Sequence, residues 1–234
     1  SGGIFDISLN NKPIRTNKAY IAKDGDILSI KSAKQGLRCY LAVTGGFDVP
    51  LFMGSAATNL KIKVGGFNGR KLKAGDILKI GKADKIKNIE KRELPENTYN
   101  NPVKVRVVLG PQDDMFSEND LLLFSNQQYT VTSDLDRMGI RLWGIALRGK
   151  EKLEIISDAI TFGSIQITNS GMPIILMADH QTTGGYAKIA TVISADLQKL
   201  AQVKPKDKIS FEIIDIDIAE KIAIKQKKHI DKLF

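Results

Sequence analysis

Along most of the chain the apolar positions recur with a period of two, in short β-branched runs. These are "CYLAV" at 39–43, "VKVRVVL" at 103–109, "YTVT" at 129–132, "IQIT" at 165–168 and "KISFEII" at 208–214, each bounded by Gly, Asp, Asn or Pro. Alternation of this kind predicts half-buried strands and a mainly β fold. A phrase recurs at the start of such runs: "KDGDILSI" at 23–30, "KAGDILKI" at 73–80 and, more loosely, "KPKDKISF" at 204–211. It reads as one turn feeding a strand, used three times at irregular spacing, which excludes a solenoid.

Three segments carry helical signals instead. Ser117, with Asp120 three residues on, caps "SENDLLLF" at 117–124, and Ser194 is placed to cap "SADLQKLAQ" at 194–202. From Asp215 onwards Ile218, Ala219, Ile222, Ile230 and Phe234 face a lysine-rich side, predicting a C-terminal amphipathic helix. The charged, Asn-rich stretch at 83–102 closes with proline and reads as a linker. It divides a first β module, 1–100, from a second, 101–234, that ends in the amphipathic helix.

Composition narrows the class. A chain of 234 residues, 42% hydrophobic, buries a sizeable core, and its longest apolar runs, such as "MPIILMA" at 172–178, are too short to span a membrane. With no signal-peptide pattern at the start, the expected setting is cytoplasmic. A single cysteine, Cys39, excludes a disulfide within the chain. The net charge of +9 invites nucleic acid, but the lysines are dispersed among acids with no aromatic platform beside them, so neither nucleic acid nor membrane is expected as a partner.

Most motif-like stretches fail on chemistry. "GIALRGKE" at 144–151 approaches a phosphate-binding loop, yet Glu151 stands where a Mg²⁺-binding hydroxyl belongs and a strand-like run follows. Cys39, His180 and His229 are too scattered to outline a zinc site, so no metal ligands are assigned, and "QDD" at 112–114 reads as a turn. The stretch "DHQTTGGYAK" at 179–188 is richer. Thr183, Gly184 and Gly185 repeat the "TGG" of 44–46, and paired glycines suggest a turn at positive φ with exposed amides. Around it stand His180, Gln181, Thr182, Thr183, Tyr186 and Lys188, read as an exposed lysine. Together they offer donors, acceptors and a cation to a small polar ligand.

Four stretches, "GLRCYLAVTGGFDVPLFMGSAATNLKIKVGGFNGRKLKAGDIL", "VRVVLGPQDDMF", "YTVTSDLDRMGIRL" and "FGSIQITNSGMPIILMADHQTTGGYAKIATVISADL", resemble the allophanate hydrolase subunit 2 family, the biotin-dependent carboxyltransferase A/B domain. The resemblance spans most of the chain. It implies cyclophilin-like β-barrel modules with a few short helices, and a partner of the subunit 1 (KipI-like) family. The family's Gly- and Gln-rich opening segment is missing, so the chain reads as N-terminally truncated, with unpaired edges favouring a homo-oligomer. Ile140 stands at a family tyrosine, and His180 stands where the family has arginine; if that arginine binds an anion, binding here is weakened or made pH-dependent.

The function implied is that of a 5-oxoprolinase-type subunit, opening 5-oxo-L-proline to L-glutamate with ATP and Mg²⁺ supplied at the level of the complex. Arg137 and Lys188 are then the catalytic candidates, stabilising developing charge. His180, Gln181, Thr182, Thr183, Gly184, Gly185 and Tyr186 line the substrate site. Two alternatives follow from the same resemblance. One is a urea carboxylase-like carboxyltransferase using biotin; the other is a non-catalytic antagonist that binds a kinase-inhibitor protein.

Overall fold

The computed structural model describes residues 1–83, 86–96 and 98–233. Fourteen strands are found there: β1 Gly2–Leu9, β2 Lys12–Pro13, β3 Leu28–Cys39, β4 Phe47–Asp48, β5 Lys79–Ile80, β6 Val103–Leu109, β7 Tyr129–Leu135, β8 Gly139–Trp143, β9 Glu154–Ala159, β10 Ser164–Ile167, β11 Pro173–Leu176, β12 Thr183–Tyr186, β13 Lys188–Val192 and β14 Lys208–Ile213. Three α-helices join them: α1 Glu118–Asn126, α2 Leu197–Leu200 and α3 Ile216–Asp231. Seven strands close a barrel in the order β10-β11-β8-β7-β14-β6-β13. Its pairings are antiparallel except that β14 runs parallel to β6. The mainly β, barrel-based architecture expected from the alternation and the resemblance is the one observed.

Two compact units are formed: Ser1, Ser8–Ser29 and Cys39–Pro95 in the first, and Gly2–Ile7, Ile30–Arg38 and Glu96–Phe234 in the second. Strands β1 and β3, neighbours in the three-stranded sheet β2-β1-β3, each contribute residues to both units. In the second unit, Gln202 clasps the returning end of β3, its Oε1 accepting from Leu37 N and Arg38 N at 2.9 Å and its Nε2 donating to Arg38 O at 3.0 Å. The division into modules 1–100 and 101–234 stays a proposal. Within the stretch read as a linker, Asp84, Lys85 and Asn97 lie outside the described residues, and the rest forms a 3₁₀ turn, Ile89–Lys91, and a bridge between Lys18 and Glu93.

The barrel of the second unit has a conventional apolar interior. Val105, Val107, Tyr129, Val131, Ile140, Leu142, Ile165, Ile167, Ile175, Ile189 and Ile209 are almost completely buried. Phe124 of α1 stacks on Phe211 of β14 at 4.6 Å, with Tyr129 tilted against Phe211 at 5.5 Å. Burial pushes the Tyr129 phenol up, and its oxygen is satisfied by Gln127 Nε2 at 2.8 Å.

The first unit contrasts with it. Every buried apolar side chain among the described residues lies at Val105 or beyond, while Met53, Ile77, Ile27 and Leu51 of the first unit are 93%, 84%, 70% and 68% exposed. A unit with so little of its apolar surface buried leaves that surface available for association. The isolated chain is therefore expected to self-associate with rising concentration, which light scattering checks; a monodisperse monomer across a wide concentration range overturns the expectation.

The recurring phrase proves to be one turn built three times. Asp26 N, Asp76 N and Asp207 N each donate to the carbonyl three residues back, at 3.1 Å, while the aspartate side chain accepts from that same residue's N–H, at 2.8, 2.6 and 3.0 Å. The third position is left-handed in every copy: Gly25 at φ 83°, Gly75 at 86° and Lys206 at 77°. Glycine suits that position, and Pro205 before Lys206 presets the turn.

Local signals elsewhere fare unevenly. Ser117 and Asp120 form the full capping box of α1. Ser194 is not a cap: a 3₁₀ turn, Ser194–Asp196, intervenes and α2 starts at Leu197. "CYLAV" leaves the sheet after Cys39, with Tyr40 and Leu41 exposed. The tail helix is α3, anchored through Ala219 and Ile222 on Ile193 and Ala195.

Candidate functional site

The stretch 179–188 does not form a glycine turn. Residues Thr183–Tyr186 are strand β12, paired antiparallel to β9 in a two-stranded ribbon that sets Thr183 opposite Ala159, Gly184 opposite Asp158 and Tyr186 opposite Glu154. Neither Gly184 nor Gly185 has positive φ, whereas Gly45 and Gly46 do, at 82° and 68°. The two "TGG" segments thus share letters and not geometry. What glycine provides at 184 is room: a Cβ there would sit 2.6 Å from Ile160 Cδ1, 2.8 Å from Gln166 Nε2 and 3.4 Å from Gln181 Nε2.

Lys188 is the larger surprise. The sequence reading makes it an exposed lysine; its side chain is 4% exposed. A shift in the β10–β13 register produces this. Ile165 pairs with Ala190, yet the next residue, Gln166, pairs with Lys188, so β13 carries an extra residue at this point. Bulges of this kind re-aim side chains and favour the neighbourhood of active sites. The ammonium meets Asp158 Oδ2 of β9 at 2.6 Å. Hydrogen bonds from Lys188, from the Ala159 amide and from Gln112 hold the Asp158 carboxyl below the usual carboxylate range.

The third member is Gln112, from the "GPQ" segment after β6. Its Oε1 accepts from Lys188 N at 3.2 Å, and its Nε2 donates to Asp158 Oδ2 at 3.1 Å. Sequence reasoning took "QDD" for a turn, and a turn it is, since Asp113–Met115 is 3₁₀. The residue that meets Asp158 and Lys188 is the glutamine at its start, and nothing in the spacing joins residues 112, 158 and 188. Gly110 permits the approach. Its N–H donates to Ile189 O at 2.9 Å, and a Cβ on it would lie 2.2 Å from Lys188 O.

These two glycines predict opposite behaviour. At Gly184 a methyl group meets the movable ends of Ile160 and Gln166, so Gly184→Ala should shift Tm by no more than a few degrees. At Gly110 it meets backbone, and Gly110→Ala should cost about 1–3 kcal/mol, roughly 3–10 °C in Tm for a chain of this size. Thermal melts of the two variants check the order.

The other candidates distribute around two centres. Gln181 and Gln166 both lie against Gly184; Thr182 O accepts from Ile160 N at 3.0 Å; Gln166, 2% exposed, donates to Tyr186 O at 3.2 Å. These surround the Gln112–Asp158–Lys188 triad. Arg137 belongs elsewhere. It grips Asp179 with Nε at 2.7 Å and Nη2 at 2.9 Å, its side chain 71% exposed. This pairing with Arg137 keeps Asp179 below the usual carboxylate range. His180 follows directly and donates Nδ1–H to Gln181 O at 2.6 Å. Both proposed cations, Lys188 and Arg137, are therefore matched by a carboxylate.

Among the described residues, no three or more His, Cys, Asp or Glu side chains group to hold a metal ion, and no helix is long and apolar enough to cross a membrane. Residues 144–150 form an irregular loop running into β9, without the helix a phosphate-binding loop requires.

Comparison with known proteins agrees with this architecture. The model of the carboxyltransferase domain, subdomains A and B, matches residues 1–213. The chain is 38% identical over 235 aligned residues to a 5-oxoprolinase subunit of Haemophilus influenzae, covering all of this chain and 74% of that protein. It is 32% identical to urea amidolyase of Lachancea kluyveri, of which it spans only 14%. The crystal structure of Kluyveromyces lactis urea carboxylase superposes on the whole chain with a TM-score of 0.88 at 30% identity, over 23% of that longer protein. A match covering both the barrel and the preceding sheets, with the Haemophilus 5-oxoprolinase subunit aligned along the entire chain, places this protein in the family of carboxyltransferase domains, subdomains A and B.

Proposed function

We propose that the chain is a subunit of an ATP-dependent 5-oxoprolinase-type amidohydrolase that opens 5-oxo-L-proline to L-glutamate together with a subunit 1 family partner. The observation that carries this reading is the alignment with the Haemophilus 5-oxoprolinase subunit along the entire chain, at 38% identity. The site supports it. Lys188 presents an ammonium in a nearly water-free setting, where a hydrogen bond to a carbonyl oxygen gains strength as negative charge develops on that oxygen. Gln181, Thr182, Thr183 and the backbone of Gly184 and Gly185 run along the same ribbon and orient the ring; His180 and Tyr186 close its two ends. Arg137, matched by Asp179, forms a separate exposed contact suited to a partner subunit.

ATP, with Mg²⁺, is the co-reactant this chemistry needs to activate a poor amide electrophile. The described residues of this chain do not build a site that fits it, so nucleotide binding falls to the complex. A biotin-dependent carboxyltransferase role is the second reading, favoured by the 0.88 TM-score to urea carboxylase. These 234 residues contain no "AMKM"-type attachment sequence, so a carrier would lie outside them.

The test is reconstitution. Mixed with its partner subunits, the chain should support ATP hydrolysis that depends on 5-oxo-L-proline and releases glutamate. Transfer of the carboxyl group from carboxybiotin to urea, giving biotin and N-carboxyurea without ATP hydrolysis, instead selects the second reading. No turnover with either substrate leaves a non-catalytic binding role.

A further inference from the structure

We infer that Asp158 and Lys188, braced by Gln112, form a two-point dock for the N–H and C=O edge of a cis amide, with Asp158 the residue that selects an amide over an acid. The inference rests on the reading above and adds to it the groups that recognise the reacting bond.

The charge at this place is the first argument. Lys188 Nζ and Asp158 Oδ2 lie 2.6 Å apart, so the pair is neutral overall. A lone buried ammonium attracts carboxylates and phosphates; an ammonium already paired with a carboxylate repels them as much as it attracts them. The natural ligand of a neutral donor–acceptor pair is a neutral group carrying an acceptor and a donor side by side.

Capacity is the second. An ammonium has three N–H donors, and Asp158 is the side-chain partner of Lys188 Nζ among the described residues. The Asp158 carboxylate has about four acceptor positions. Oδ2 takes Lys188 and Gln112, and Oδ1 takes the Ala159 amide at 2.7 Å, leaving one position on Oδ1. The Asp158 side chain is 45% exposed while that of Lys188 is 4% exposed, so a ligand reaches the pair from the Asp158 side.

Orientation is the third. Gln112 touches both partners, accepting from the Lys188 backbone and donating to Asp158, and so fixes the carboxylate relative to the lysine. Such bracing is what a site needs to hold donor and acceptor at a set spacing before the ligand arrives.

The ligand chemistry follows. In a small-ring lactam the ring forces N–H and C=O onto the same edge, and urea offers the same edge without a ring. Lys188 then donates to the carbonyl oxygen while Asp158 Oδ1 accepts the N–H. One site of this kind serves both substrate types that appear in the names of the relatives, a cyclic amide and urea. No proton transfer is part of the inference, which concerns binding.

The experiment compares 5-oxo-L-proline with its N-methyl derivative, titrated by calorimetry into the chain assembled with its partner subunits. Methylation removes only the N–H, and the dock predicts about a tenfold or greater loss of affinity, because Asp158 is left facing a methyl group. In Asp158→Ala, checked by thermal melt, no side-chain acceptor remains for the N–H and that discrimination should shrink to within about twofold. Equal binding of the two ligands by the unaltered protein, discrimination that persists in Asp158→Ala, or binding of neither ligand overturns the inference. The unaltered protein decides the matter even if the variant does not fold. Failure of the two readings is distinguishable. N–H-dependent binding without lactam-dependent ATP hydrolysis removes the hydrolase reading and leaves the dock; hydrolysis that accepts both ligands equally removes the dock and leaves the hydrolase.

Discussion

Replacing Lys188 by methionine should abolish function and spare the fold. Methionine keeps the buried stem and loses only the ammonium, so no cavity opens, and removing one partner of an ion pair is costly only where the other stays buried. Asp158, 45% exposed, can return to water. Melting should therefore occur at the same temperature or slightly higher, while lactam-dependent turnover of the reconstituted complex falls about 10²–10³-fold, the usual cost of removing one charge-stabilising donor. Lys188→Ala behaves differently. It leaves a cavity where a four-carbon stem was packed, at a cost of about 2–3 kcal/mol, so its lost activity and lowered Tm would be confounded. Turnover by Lys188→Met close to that of the unaltered protein would move the chemistry away from this site, towards Arg137.

Asp196→Ala should be the most damaging single change to stability. Asp196 is completely buried, and its carboxylate accepts from Arg106 N at 2.8 Å, Arg106 Nε at 2.9 Å, Arg106 Nη2 at 2.7 Å and Lys199 Nζ at 2.9 Å. Removing it strands a backbone N–H and a guanidinium that is only 28% exposed, at a cost of about 3–5 kcal/mol, or roughly 10 °C in Tm. Burial by itself pushes the Asp196 carboxyl up, but the hydrogen bonds from Arg106 and Lys199 outweigh it and hold the group below its ordinary value. The sign follows. With the folded value below the unfolded one, about 3.9, the contribution is fully present above that pH and is lost as pH falls through the folded value. Acid unfolding of the native protein should therefore steepen below about pH 4, and that component should vanish in Asp196→Ala. Denaturant melts across the acid range check both statements; an unchanged acid limb in the variant contradicts the second.

The elements legible in the sequence are those whose signals are local. The capping box of Ser117 and Asp120 formed because both partners lie within one helical turn. The three Lys-x-x-Asp turns formed alike because each closes on itself through four residues and one left-handed position, including the improbable Lys206. Strand periodicity located β6, β7 and β14, whose faces alternate as a barrel wall requires, and β10, which is buried on both faces.

The site was only half legible. Its richest stretch drew attention to Lys188 and Gln181, and to the glycines for a reason that did not hold: Gly184 is in a strand and supplies clearance, not positive φ. Gln112 and Asp158 were out of reach. They lie 76 and 30 residues from Lys188, and a single slipped pairing between β10 and β13 turns the lysine inwards beneath the β9–β12 ribbon. A one-residue change of register reverses which face a side chain takes, and alternation in a sequence carries no record of where such a shift occurs. Composition, turn chemistry and the period of two thus determined that this is a mainly β chain with helices at particular caps. Burial of the lysine, its neutralisation by Asp158 and the bracing by Gln112 were decided by tertiary structure, because they depend on which strands meet and in which register.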